Sequence, residues 1–167
     1  LFEQAGTKAL LRETNRGVMD YAFTIRNHLI TSLSSLQAAY SLREKMLQQQ
    51  HQFYREAGAF AKKLAVKGYV INASGDSTRA WKLAQLLKRH QIRLFELARP
   101  ITVADKSFLP GSAYVVPGNQ SQTRLLHAMM ERRTDFSVEK FYDISTWTLP
   151  LAYGVSYLEW TQPVEGL

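Results

Sequence analysis

Lys67-Gly68-Tyr69-Val70-Ile71-Asn72-Ala73-Ser74-Gly75-Asp76-Ser77-Thr78 is the stretch on which the fold reading turns. Lys67-Gly68 breaks what precedes it. Tyr69 to Ile71 is a short apolar, β-branched run, the signature of a buried strand. Asn72 to Ser77 is a small-polar loop. Thr78 to His90 then recurs with a helical period, with Ala80, Leu83, Ala84 and Leu87 on one face. Asp76 or Ser77 suits the N-cap, because a short oxygen-bearing side chain can accept from a free amide of the first turn. Ile92 to Leu97 reads as a second strand. About thirty residues in the order strand, helix, strand is the size of a parallel βαβ crossover. The stretch therefore predicts an α/β unit with a mainly parallel sheet.

Downstream, Pro100 to Gly111 reads as a loop and Ala113 to Pro117 as a third strand closed by Pro117-Gly118. Ser121 to Arg132 reads as a helix with Leu125, Leu126, Met129 and Met130 inward. Val155 to Trp160 is a candidate last strand, so the sheet would have three to four strands. Upstream, Ala22, Ile25, Leu29, Leu33, Leu36 and Tyr40 recur at spacings of three and four. That is one face of a long helix. Leu42, Met46, Phe53, Ala57, Phe60 and Leu64 form a second run, and two amphipathic helices are the simplest reading. The expected division is residues 1–66, helical, and residues 67–167, α/β.

Composition removes several chemistries. The 167 residues include no cysteine, which excludes disulfides, thiolate zinc sites, iron–sulfur clusters and a cysteine nucleophile. The net charge of +7 is spread over both parts, with no long basic stripe carrying interleaved aromatics, so nucleic acid is not an expected partner. No apolar run is long enough to span a bilayer. No basic segment precedes an apolar run of signal-peptide type. The opening Leu1-Phe2, with no Met, reads as the start of a piece cut from a longer protein.

Candidate site residues are few. Ser74, Asp76 and Ser77 lie in a loop between a strand and a helix, where open parallel sheets favour ligands and where a helix N-terminus can hold an anion. The loop lacks the glycines of a dinucleotide fingerprint and the Lys-Ser/Thr of a P-loop. Capping and turn formation account for the same residues. His28, His51, His90 and His127 show no metal-ligand spacing and read as surface or partly buried imidazoles, with His127 and Glu131 compatible with a surface pair. No Gly-x-Ser-x-Gly elbow marks a serine nucleophile. The aromatic segment Tyr142 to Gly154 reads either as core packing or as a pocket lining.

Four stretches carry a resemblance. They are Leu1-Phe2-Glu3-Gln4-Ala5, Phe23-Thr24-Ile25-Arg26-Asn27 with Thr31-Ser32-Leu33, Phe108-Leu109-Pro110-Gly111-Ser112-Ala113-Tyr114-Val115-Val116-Pro117, and Tyr142-Asp143-Ile144-Ser145-Thr146-Trp147-Thr148-Leu149-Pro150. In this order they resemble the C-terminal part of bacterial zinc carboxypeptidase-like proteins of the M14 (carboxypeptidase A) superfamily. In that family a peptidase domain precedes a domain similar to class I glutamine amidotransferases. The resemblance implies a flavodoxin-like, three-layer fold for residues 67–167, and a peptidase tail with a helical linker for residues 1–66. It implies zinc in the parent, with its ligands upstream of Leu1 and none in this chain. It places Glu3 as the general base for zinc-bound water in the intact parent.

Without a cysteine, glutaminase chemistry at the turn Ala73-Ser74-Gly75-Asp76 is excluded, so the resemblance implies a non-catalytic accessory domain. Its expected partners are the upstream peptidase domain in cis and, for the parent, a peptide substrate. A periplasmic or secreted location suits such a parent. Two other readings stand beside this one. The first is a small-ligand or carbohydrate-binding module using the loop at 73–78 with Trp147 and Tyr153. The second is a scaffold whose N-terminal helices pair across a homodimer.

Overall fold

A computed structural model describes residues 6–103, 105–132 and 148–162. The chain divides into two compact units, Leu1–Gln50 and His51–Leu167. The first holds an antiparallel hairpin, β1 (Leu11–Thr14) and β2 (Gly17–Asp20), with Thr14 opposite Gly17. Gly17 sits at φ +113°, a conformation that L side chains rarely adopt, and this lets the chain turn there. Asp20 ends the hairpin and starts α1 (Tyr21–Arg55), its carboxylate accepting from the Phe23 amide at 2.6 Å. Thr24 is the only buried residue of α1.

One continuous helix of 35 residues replaces the expected pair. The apolar pattern changes phase between Tyr40 and Leu42, and a change of phase suggests two helices. Here the backbone continues through it. At about 100° per residue, Ile25, Leu29, Leu33, Leu36, Tyr40, Leu47 and Tyr54 share one stripe along α1. Leu42, Met46 and Phe53 lie about a third of a turn away.

The second unit begins with the last residues of α1 and continues with α2 (Ala57–Lys63). Arg124 closes the end of α1: its guanidinium donates to the Phe53 carbonyl at 2.7 Å and lies over the Phe53 and Phe60 rings. Next come β3 (Gly68–Asn72), α3 (Ser77–Arg89), β4 (Phe95–Glu96), β5 (Ile101–Val103) and β6 (Lys106–Phe108). They are followed by β7 (Ala113–Pro117), α4 (Thr123–Met130), α5 (Leu149–Ala152) and β8 (Tyr157–Trp160). The main sheet has the order β4-β7-β3-β8, and β5-β6 is a separate ribbon.

Every pairing among the described residues is antiparallel, which overturns the mainly parallel sheet and with it the flavodoxin-like or amidotransferase-like architecture. The reason lies in strand order. β3 and β4 do run the same way, as the strand–helix–strand reading requires, but β7 lies between them and is antiparallel to both. A buried β-branched run shows that a strand is central. It does not show which way its neighbours run.

Both faces of this sheet are covered. Tyr69, Ile71 and Val116 point to one side and pack with Ala80, Leu83 and Leu87 of α3 and Leu126 and Met130 of α4. Val70, Ala113 and Val115 point to the other and pack with Leu97, Ile101 and Phe108 beside the ribbon. The register Tyr69↔Val116 and Val70↔Val115 keeps like-facing residues opposite each other. The expected loop at 100–111 thus contains the hairpin that covers the second face. Gly118 allows a close approach, since a Cβ there would lie 2.7 Å from the Lys67 carbonyl oxygen.

Candidate functional site

The loop after β3 is built as a cap. The Asn72 side-chain oxygen accepts from the Ser74 amide at 2.9 Å and from the Ser74 hydroxyl at 2.6 Å. Asp76 is the N-cap of α3, accepting from the Arg79 amide at 2.9 Å. Its second oxygen pairs with Arg79 Nε at 3.2 Å. Ser77 is the first helical residue, and Ser74, Asp76 and Ser77 are all exposed. Both Asp76 oxygens are therefore engaged locally, as capping requires. The premise that favoured a ligand here, the carboxyl end of parallel strands, does not hold in an antiparallel sheet.

Glu3 and Trp147 lie outside the described residues, as does most of the aromatic segment. Its described end forms α5, with Pro150 buried and Thr148 donating to the Glu131 carbonyl at 2.8 Å. Tyr153 packs against the core on the helical side of the sheet. Among the described residues, no group of three or more histidine and carboxylate side chains could hold a metal ion. Likewise, no described helix is long and apolar enough to cross a membrane.

Sequence reading missed one partly buried polar pair. Tyr69 is 3% exposed, and its hydroxyl meets His127 Nδ1 at 3.3 Å. The expected partner Glu131 instead donates its backbone amide to the His127 carbonyl at the end of α4. A histidine one residue after the buried Leu126 was the available signal: it leaves room for a polar partner on the strand below. Burial pushes the Tyr69 phenol above its ordinary range, and Glu159, Tyr157 and Glu131 add to the effect. Held protonated, the phenol stays a neutral hydrogen-bonding partner for the imidazole, and which of the two donates follows the imidazole tautomer. Burial and then Glu159 also raise Tyr157, while Arg132 opposes them.

The sign of the resulting pH effect is fixed. Below the usual tyrosine value of 10.0, Tyr69 is protonated in both the folded and unfolded chains. Above it the unfolded chain releases a proton that the folded chain keeps, so stability falls as pH rises, by up to about 1.4 kcal/mol per pH unit. Urea unfolding at pH 9 and pH 11 should show a smaller alkaline loss for Tyr69→Phe than for the wild type. An equal loss in both would contradict the buried phenol.

The other candidate is a surface on α1, not a cleft. Leu29, Leu33, Leu36, Tyr40 and Leu47 of α1 are 57%, 57%, 69%, 69% and 65% exposed. An open depression lined by Leu33, Leu36, Gln37 and Tyr40 follows this face. Isolated helices are marginal in water, and most draw their stability from packing an apolar face. Arg43 and Gln50 interrupt the stripe, and exposed apolar patches of this extent are candidates for interaction surfaces. The histidines do not converge: His28 and His51 lie on α1, His90 ends α3, and His127 is on α4.

No family model matches the chain, and neither a curated protein nor a solved structure matches it.

Proposed function

We propose that this chain is a non-catalytic assembly region of a larger, zinc carboxypeptidase-like protein, and that α1 carries the assembly surface. The observation that carries this reading is the exposed apolar stripe of α1, whose only buried residue is Thr24. The link to a peptidase parent is supported by the four sequence stretches alone. On that reading Glu3 and zinc belong to the chemistry of the parent, which hydrolyses peptides, and the stripe covers either the upstream peptidase domain or a second copy.

Two experiments bear on the proposal. Wild-type chain should associate with itself or with the separately produced peptidase domain, and Leu33→Asp should not. Association that survives Leu33→Asp would contradict a role for the stripe. The chain titrated with zinc should release no residue from peptide substrates. Stoichiometric zinc binding accompanied by hydrolysis would contradict the non-catalytic role.

A further inference from the structure

We infer that α1 pairs antiparallel with α1 of a second copy of this chain over Leu29–Tyr54, bringing Leu36 of each copy opposite Leu47 of the other. The inference rests on the assembly reading above and names its partner. Leu29, Leu33, Leu36, Tyr40, Arg43, Leu47, Gln50 and Tyr54 are separated alternately by four and three residues, the spacing of a coiled-coil seam. In an antiparallel pair, the layers become Leu29 with Tyr54, Leu33 with Gln50, Leu36 with Leu47, and Tyr40 with Arg43. The two-fold axis repeats each layer once.

Three features favour this occupant. The first is charge. Parallel, in-register pairing would stack Arg43 on Arg43 at the centre of the seam. Antiparallel pairing sets Arg43 against the Tyr40 ring of the other copy, the same cation–aromatic contact it already makes within its own helix at 5.0 Å. Glu44, 3.8 Å from the Arg43 guanidinium, flanks the seam opposite the neutral Gln37. Lys45 points away from the seam.

The second feature is size. The apolar pattern shifts phase after Tyr40, moving Met46 and Phe53 to one flank of the seam. On that same flank the first half of the helix carries the small residues Ser32 and Ala39. Antiparallel pairing sets Ala39 beside Met46 and Ser32 beside Phe53, large against small. Arg124 accounts for the placement of Phe53 within one chain, and the shift of Met46 beside it suits a self-complementary surface. Met46 is 57% exposed, and Phe53, held by Arg124 on one side, is still 39% exposed.

The third feature is extent. Leu29 to Tyr54 spans about 39 Å at 1.5 Å per residue, and a helix is about 10 Å wide. The flat footprint over both helices is about 800 Å², and the relief of the side chains must add about 200 Å² to reach the ~1,000 Å² of a specific interface.

The chain contains no cysteine, so introduced thiols report cleanly. Leu36→Cys and Leu47→Cys are made separately in the full chain and oxidised alone and as an equal mixture. The mixture should give at least ten times more disulfide-linked dimer than either variant alone, and more than Lys45→Cys on the outer face. If Leu36→Cys alone links as well as the mixture, or if no sample exceeds Lys45→Cys, the antiparallel register is overturned. Sedimentation separates that failure from failure of the assembly reading. A chain that associates without the 36–47 link loses only the register. A monomeric chain that also fails to bind the peptidase domain loses both.

Discussion

Leu36→Asp is expected to turn a self-associating chain into a 19.1 kDa monomer. Each dimer would contain two Leu36–Leu47 layers, so the substitution removes two buried leucines and sets two carboxylates in their place. Burying a leucine side chain stabilises by about 1.5–3 kcal/mol, so the two together contribute about 3–6 kcal/mol. At about 1.4 kcal/mol per decade, the dissociation constant should rise by about 100-fold to 10,000-fold. The carboxylates add a desolvation cost in the same direction. Leu36 belongs to neither buried core of the second unit, so that unit should stay folded in the variant. Sedimentation equilibrium reads the first effect, and urea unfolding checks the second. A variant that associates as tightly as the wild type would contradict the seam.

Leu83→Ala should destabilise the second unit by about 2–5 kcal/mol. Leu83 is 0% exposed and packs between α3 and the sheet, beside Tyr69, Ile71 and Val116. Removing three carbon atoms there leaves a cavity that a close-packed core cannot close fully. Domains of this kind are stable by only about 5–15 kcal/mol, so the loss is a large share of the total. The urea midpoint should fall with little change in slope. A loss below about 1 kcal/mol would mean that α3 does not cover this face of the sheet.

Much of the second unit was legible in the sequence. Asp76 announces the start of α3, and the period of Ala80, Leu83, Ala84 and Leu87 assigns its buried face. Ala113 to Pro117 has the strand's own limits. Strand direction was not legible. Tyr69-Val70-Ile71 is buried on both faces, as a parallel strand would be, but here the second cover is the ribbon Ile101–Phe108 inside an apparent loop. Its three-residue strands are too short to show a period. Reading α1 as two helices had a similar cause. Periodicity reports which face is apolar, and when the apolar face rotates along a continuous backbone the period breaks although the helix does not.

The candidate site divides in the same way. Ser74, Asp76 and Ser77 were found as a strand–helix loop, in which Ser74 closes the turn with Asn72 and Asp76 caps α3. Tyr69 and His127 were not found as a pair, because they are far apart in sequence and their meeting depends on α4 lying over β3. The stripe on α1 was visible as periodicity, but its exposure was not, since an apolar face reads the same whether or not the chain covers it.

The most direct measurement is sedimentation equilibrium of the unmodified chain over a wide range of concentration. The expected mass rises with concentration to twice 19.1 kDa and goes no higher, because antiparallel pairing closes on itself. A mass that stays at 19.1 kDa at every concentration would contradict pairing through α1.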